Sequence, residues 1–506
     1  MNGTRPRILH PFLFGIYPVL MLLAFNIEGM QASAALRSLV LSLIGSAMLL
    51  LLCRLVVRDW HKAALTTTLI IALFFSYGHV YNFLENVSLF GIQIGRHRFL
   101  APAWIGLCSI GFWWITRKAP DLRATTRALN IIAGMLLVFP LVQIGLFGMR
   151  SLESASASAA AKDDFALLQL PEGKTAPDIY YIILDGYSRD DILRKFYQLD
   201  NSDFLRDLEQ MGFYVARCAQ SNYAQTELSL ASSLNSNYLE QLGERYSSGK
   251  TSRVGLPDLI KHSATRQALE QLGYKIYAFE TGYDPTEIRD ADQFLSPKAV
   301  QGINDFESLF IRTTAGRVLA EGVAALDLKP DWEARDQAHR RRILYTLEKL
   351  QDLPREGGPK FVFAHIVSPH WPHVFGPNGE AVHEHQDSAS GYRNQVIFIN
   401  KQILPVLAAI VSNSPTPPII LLQADHGSVI ESAVRRMSIL NAYHLPSGGD
   451  QILYESISPV NSFRVIFDYY FGGKEKWLED TSYYSTYEKP FDYRQIPNSR
   501  PGCPQN

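Results

Sequence analysis

Charge is what this sequence has least of. Only 19% of its 506 residues are Asp, Glu, Lys or Arg, against about 25% in ordinary soluble domains. That shortage argues for a part that lies in lipid. The charges also nearly cancel, to a formal net of -1, so nothing global draws the chain to a polyanion, and nucleic acid is not expected as a partner. Cysteine is scarce as well, four residues in all. Cys53 and Cys108 fall in apolar runs, which leaves a single bridge between Cys218 and Cys503 as the most the chain can form outside them. A disulfide-framed fold is excluded, and no internal repeat is present.

What the sequence has in abundance is apolar runs, concentrated in the first 150 positions. Five of them occupy residues 11–27, 36–53, 63–84, 99–115 and 128–147. Each is close to the roughly 17–25 residues a membrane-spanning helix needs. A cleaved signal peptide would account for one such run near the terminus, but not for five in series. Basic residues set the orientation. Arg5 and Arg7 precede the first run, Arg54, Arg58 and Lys62 follow the second, and Arg117, Lys118, Arg123 and Arg127 follow the fourth. The positive-inside rule places these loops in the cytoplasm, although Arg96, His97 and Arg98 after the third run weaken the pattern. Five spans that start inside finish outside, so the remainder is expected to be extracytoplasmic.

The stretch SLESASASAAAKDD, residues 151–164, is small and polar and reads as a tether. The expected division is a transmembrane domain over 1–150, a linker over 151–173 and an extracytoplasmic domain over 174–506. In that last part short runs of strand type, IYYIIL, GFYVARC, YKIYAF, KFVFAHIV and PPIILLQA, alternate with helical patterns over residues 332–353 and 393–411. Alternation of this kind predicts an α/β domain with a largely parallel central sheet and helices on both faces. SILNAYHLP and then SISPVNSFRVIFDYYFGG predict a further strand and a closing helix, with structural roles for Asn461 and Arg464. The basic run His339-Arg340-Arg341-Arg342 reads as a solvated helix face.

Ligands of open α/β sheets bind beyond the carboxyl ends of the strands. Three strand ends carry chemistry there: Asp185-Gly186 after IYYIIL, Asp425-His426-Gly427 after PPIILLQA, and His365, His370 and His373 around KFVFAHIVSPHWPH. Singly, an Asp-Gly is most often a turn and a lone histidine a hydrogen-bonded core residue. Together, carboxylates and imidazoles suit zinc or manganese. Thr226 precedes the apolar run Leu228–Leu234 at an expected helix N-terminus. There its hydroxyl is either an N-cap or a nucleophile beside amides that receive an anion.

The order Asp185-Gly, Thr226 opening a helix, His370-Trp-Pro and Asp425-His426-Gly427 resembles the sulfatase-like branch of the alkaline phosphatase superfamily. With five preceding spans it resembles more narrowly the lipoteichoic acid synthases and lipid A phosphoethanolamine transferases. The resemblance implies a metal-dependent enzyme of the inner membrane, multi-pass, with its catalytic domain periplasmic. Asp185, Thr226, Asp425 and His426 would hold a divalent zinc or manganese ion, with Thr226 the attacking hydroxyl and His370 contacting the phosphate or leaving group. A phosphoglycerol- or phosphoethanolamine-type group would pass from a membrane phospholipid donor to an envelope glycan or lipid acceptor. Asp185 stands where the phosphoethanolamine transferases usually carry glutamate, which leaves the donor open. His365 and His373 stand between substrate contact and a structural role. A sulfatase-like hydrolase and a catalytically inactive membrane scaffold are the alternatives. Against the first, no cysteine sits in a Cys-x-Pro-Ser-Arg motif that could become formylglycine.

Overall fold

The computed structural model describes residues 6–504 except 28–31, 85–86, 90–91, 94–95, 118–121, 159–167, 172, 174, 298–304, 319–330, 385–387, 430–431, 475 and 499. The chain divides into two units, one of residues 1–149 with 300–334 and one of residues 150–299 with 335–506.

The first unit is built on five helices, α1 (His10–Asn26), α2 (Leu36–Val57), α3 (Trp60–Leu84), α4 (His97–Arg117) and α5 (Leu122–Ser158). By length and composition α2 to α5 can cross a membrane, while α1, with 17 residues, is an apolar helix of slightly shorter reach. Their polarity is the reverse of a soluble bundle. Leu52, Leu55, Ile105, Ile110 and Met135 point outward and exposed, as lipid requires. Inside, polar pairs stand among the apolar contacts: His10 Nδ1 meets Thr68 Oγ1 at 2.6 Å, and Ser42 Oγ donates to the Gly15 carbonyl at 2.5 Å. Such pairs hold helices together where no hydrophobic gradient exists to do so.

Two stretches depart from the expected division. Residues 151–158 continue α5, because SLESASAS contains neither glycine nor proline and so carries nothing to stop a helix. Residues 159–167 of the tether lie outside the described residues. The short helix Asp305–Arg312 groups with the N-terminal helices. Phe306 is buried with Val19, Leu23, Ile27 and Ala35, with Phe310 packed alongside. Its apolar residues recur at helical spacing and need a partner surface.

The second unit holds a seven-stranded sheet. In chain order its strands are β1 (Ile179–Leu184), β2 (Tyr214–Val215), β3 (Lys275–Phe279), β4 (Gln293–Leu295), β5 (Lys360–Ile366), β6 (Ile419–Gln423) and β7 (Asn441–His444). They lie in the order β2-β7-β6-β1-β5-β3-β4. The pairs β6/β1, β1/β5, β5/β3 and β3/β4 are parallel, and β7 and β2 extend the sheet antiparallel. Every residue of β1 is buried, which is the signature of a strand covered on both faces. On one face Tyr181 meets Phe463 edge-on at 5.3 Å and bonds Ser233. These come from α9 (Pro459–Phe471) and α6 (Thr226–Leu234). The core around the sheet also takes in α8 (Ala389–Asn413). Helix α8 is apolar enough to cross a membrane, yet Val396, Ile399, Ile403, Leu407 and Ile410 are part of the core under the sheet, so it is a core helix.

The basic run on α7 (Asp331–Asp352) is not a solvated face. His339 and Arg340 are buried, and only Arg341 is exposed. Arg340 Nη1 donates to the carbonyls of Val374 and Val382, and Arg342 Nε to Glu280. The guanidinium donors satisfy backbone acceptors that α7 covers. Asn461 and Arg464 serve structure as expected, donating to the carbonyls of Leu478 and Ser236. Cys218 and Cys503 form a disulfide with 5.6 Å between their Cα atoms.

Candidate active site and metal centre

Three adjacent parallel strands, β5, β1 and β6, end at one edge of the sheet. Register fixes the alignment: Ile183 of β1 lies opposite His365 on one side and Gln423 on the other. The residues that follow therefore emerge together. Asp185 is tied in place by its amide, which donates to the Ile366 carbonyl at 3.0 Å, while the Gly186 amide donates to Asp425 Oδ1 at 3.1 Å. Gly186 turns the chain with φ of 76°, a conformation side chains resist. Gly427 is required for a different reason: a Cβ there would sit 1.9 Å from the Arg435 carbonyl oxygen.

Thr226 is the first residue of α6, and the N-cap position belongs to Gln225. Its hydroxyl is therefore not a cap. Thr226 Oγ1 lies 3.1 Å from His426 Nε2, and its hydroxyl also acts to lower the Asp425 pKa. His426 Nδ1 donates to the Gly427 carbonyl at 2.8 Å, which leaves a lone pair on Nε2. That nitrogen is 3.3 Å from Asp425 Oδ2 and 3.5 Å from Asp185 Oδ1.

The ligand atoms of Asp185, His370 and His426 lie within 4.8 Å of one another, and so do those of Asp185, His365 and Asp425. Asp185 Oδ1, Asp425 Oδ2 and His365 Nε2 are buried without a hydrogen-bond partner. Buried acceptors that converge with no donor among them are expensive unless a cation lies between. Two carboxylates and imidazole nitrogens are also a donor set that suits zinc or manganese. The residues fit a divalent ion.

Electrostatics agree. Burial would raise the Asp185 pKa, but His370, then His365 and His426, hold its carboxyl well below the usual range. Asp425 is pushed up, first by burial and then by the neighbouring charge of Asp185. His426 is driven well down by burial and by Arg436, so its imidazole stays neutral and able to ligate.

The expected residues are not all gathered. Asp185 is shared by two groups of ligand atoms, one with His370 and His426 and one with His365 and Asp425, and Thr226 reaches His426. His365, within β5, presents Nε2 to Asp185 Oδ2 at 3.3 Å, and its Nδ1 contacts Thr286 Oγ1 at 2.9 Å. His373 starts a separate hairpin, packs its buried ring against Tyr392 and belongs to neither group of ligand atoms. Arg436 was not foreseen. It is 4% exposed, donates to the Ala224 and Gly427 carbonyls, and places Nη2 2.8 Å from His426 Nε2. An ion on that nitrogen would have to displace this hydrogen bond. Arg436 lies in the short helix Ala433–Met437, and nothing local in the sequence marks it out. A pocket of about 270 Å³ opens beside the cluster, walled by His370, Trp371, Tyr392, Arg436 and Tyr487.

No protein-family model matches the chain, and no curated protein matches it. Solved structures overlap it loosely. The C-terminal periplasmic domain of EptC from Escherichia coli, in complex with zinc, is 10% identical over 65% of this chain and 94% of its own, with a TM-score of 0.43. The integral membrane lipooligosaccharide phosphoethanolamine transferase A from Neisseria meningitidis is 11% identical over 91% and 95%, with a TM-score of 0.36. A 2-O GAG sulfatase is 13% identical over 56% and 68%, also at 0.36. With overlaps this loose, the chemistry has to be read from the site's own side chains.

Proposed function

We propose that the second unit is a metal-dependent phosphotransferase that moves a phospho-alcohol group, of the phosphoglycerol or phosphoethanolamine type, from a membrane phospholipid to an envelope glycan or lipid. The observation that carries this reading is Thr226. Its hydroxyl opens α6 without capping it and is directed instead at His426 and Asp425. Asp185, Thr226, Asp425 and His426 would hold the ion, with His365 facing the same point. When bound, a divalent ion acts as a Lewis acid toward phosphoryl oxygen and lowers the pKa of a neighbouring hydroxyl.

Thr226 Oγ1 attacks phosphorus as its proton leaves toward the acceptors around it. The bond from phosphorus to the donor's glycerol oxygen breaks, and His370, on the pocket wall, protonates that oxygen. Diacylglycerol departs and a phospho-threonine ester remains. In the second half the acceptor hydroxyl attacks the same phosphorus and gives up its proton to His370, and the bond from phosphorus to Thr226 Oγ1 breaks as that oxygen takes back its proton from the acceptors around it. The amides at the start of α6 and the Arg436 guanidinium offer positive charge to the phosphoryl oxygens. The orientation argued from the basic loops puts this unit on the periplasmic side of the inner membrane, where both lipid donor and envelope acceptor are reached.

The test is mass spectrometry of the protein purified with native lipids. A peptide containing Thr226 is expected to carry the mass of a phospho-alcohol group, and that mass names the donor type. Absence of any adduct during turnover, with quench times short enough to trap one, would remove the covalent step.

A further inference from the structure

Gln395 is a polar residue with no exposed surface, on the core side of α8 between Tyr392 and Ile399. A glutamine amide offers two N–H donors and one carbonyl acceptor, and here all three are engaged by one segment of chain. Nε2 donates to the Pro369 carbonyl at 3.2 Å and to the His370 carbonyl at 3.1 Å, and Oε1 accepts from the Val374 amide at 3.0 Å. Buried backbone groups need partners, so the plainest role for Gln395 is to satisfy the loop between β5 and the hairpin that starts at His373.

Where the bonds fall says more. The Pro369 and His370 carbonyls belong to the two peptide planes on either side of the His370 Cα. The first plane is held at its other edge too, where the His370 amide donates to the Asp185 carbonyl at 3.0 Å. Each peptide unit is rigid, so fixing both planes fixes the direction in which the His370 side chain leaves the backbone. The ring is set by its own chain: Nδ1 lies 2.6 Å from the Trp371 carbonyl. A carbonyl only accepts, so Nδ1 carries a proton and Nε2 is the nitrogen available to a substrate. The same helix also holds the opposite side of the cluster. Tyr392, one turn before Gln395, donates its hydroxyl to the Gly186 carbonyl at 2.8 Å and accepts from the Ser188 amide at 3.0 Å. Two side chains three residues apart on α8 thus grip the turn after Asp185 and the segment that carries His370.

We propose that Gln395 is a positioning residue for His370: its amide fixes both peptide planes that flank His370 and so aims the imidazole at the oxygen that leaves phosphorus. The proposal rests on the proton-transfer role given to His370 above. In that step the bond from phosphorus to the glycerol oxygen breaks while the proton on Nε2 passes to the same oxygen, so the distance between those two atoms enters the rate directly. A misplacement of about 1 Å can cost about a hundredfold.

Leaving-group chemistry separates positioning from a merely structural role. Nitrophenolate departs as a stable anion and needs no proton, whereas the glycerol oxygen of a phospholipid does. The full-length chain, supplied with zinc, is given either a nitrophenyl phosphodiester or mixed phosphatidylethanolamine and phosphatidylglycerol in detergent micelles. The first product released per enzyme is timed, before any acceptor is needed. His370→Ala is expected to slow diacylglycerol release by about 10²–10⁴-fold and nitrophenolate release far less. Gln395→Met keeps the length and loses all three bonds; Gln395→Glu keeps the acceptor for Val374 and loses both donors. Each is expected to slow diacylglycerol release by about a hundredfold and to leave nitrophenolate release largely intact. Added to His370→Ala, neither should slow diacylglycerol release further, because a residue that acts only through another has nothing left to act on. If Gln395→Met does not fold, Gln395→Glu decides alone. No slowing, equal slowing on both substrates, or a further loss on top of His370→Ala would return Gln395 to the plain loop role and overturn the proposal. Equal slowing on both substrates by His370→Ala itself would instead remove the proton-transfer role of His370, and the proposal with it.

Discussion

Thr226 Oγ1 and His426 Nε2 lie 3.1 Å apart, although 200 residues separate them in sequence. One opens a helix, the other follows the end of a buried strand, and neither neighbourhood would need the other for packing alone. If the pair is catalytic, Thr226→Ala abolishes turnover and Thr226→Ser keeps part of it, because serine retains the attacking oxygen. Thr226 does not cap α6, so alanine should cost less stability than the roughly 0.5–2 kcal/mol of a lost cap. The comparison is cleavage of a nitrophenyl phosphodiester by the three forms, normalised to folded protein. Substantial turnover by the alanine form would leave Thr226 without the role given to it.

Asp425 and His426 sit on the same turn, held there by the contact between Gly427 and the Arg435–Ser438 segment. Asp425→Asn and His426→Ala should each strip most of the bound zinc or manganese, since one lost ligand also unbalances the charge of a small site. Elemental analysis of protein dialysed against a weak chelator reads the result. One tightly held ion per wild-type chain is expected, and wild-type metal content in both variants would remove these residues from the ligand set.

The buried strands were legible because a covered parallel strand is apolar nearly throughout, as IYYIIL and the IILL of β6 are. The site was legible for the same reason: an acid or histidine directly after such a run has no packing role to explain it. Arg436 was not legible, because nothing local shows that the chain from Gly427 to Met437 folds back until the guanidinium meets His426. The burial of His339 and Arg340 was hidden likewise. Four basic residues in a row look solvated unless the carbonyls of Val374 and Val382, distant in sequence, are known to be waiting. The helix Asp305–Arg312 was missed because eight residues give too short a window to separate an amphipathic helix from a loop.

The basic loops make a topological prediction. An alkaline phosphatase reporter fused after Ser158, where α5 ends, should be active, and a cytoplasmic fluorescent reporter at the same point dark. The opposite pattern would place the candidate site away from envelope acceptors and would defeat the proposed reaction.

A pH effect on stability follows from Asp191. Burial alone would raise its pKa, but hydrogen bonds and charge from Arg189, and then Arg500, bring it below the ordinary 3.8. Arg189 is 3% exposed, so the pair is largely sheltered. A depressed folded-state pKa gives stability that is present above the unfolded value and is lost as pH falls through the folded one. Asp191→Asn should therefore cost about 1–3 kcal/mol at neutral pH. The gap from wild type should hold at pH 6 and narrow below about pH 4, where the unfolded carboxyl is protonated. Thermal midpoints of both proteins across that range measure it, and a gap that widens in acid would contradict the assignment.

His365 has a ligand's geometry, and a second residue tests it. Thr286 Oγ1 donates to the Tyr283 carbonyl at 3.1 Å and lies 2.9 Å from His365 Nδ1. If that hydroxyl spends its proton on the carbonyl rather than on the ring, Nδ1 carries the imidazole proton and Nε2 is left with its lone pair. That lone pair faces Asp185 Oδ2 at 3.3 Å with no proton available between them, an arrangement that a cation relieves. Thr286 would then be a positioning residue, fixing the tautomer that ligates. Thr286→Val keeps the shape and removes the acceptor, freeing the proton to move to Nε2, where it blocks the lone pair. Affinity for zinc, measured by competition with a chromophoric chelator, should fall by about 10–100-fold, the usual effect of losing such a partner. Thr286→Ser should restore it. His365→Ala should fall at least as far as Thr286→Val; unchanged affinity in both would return His365 to the core residue its strand position first suggests.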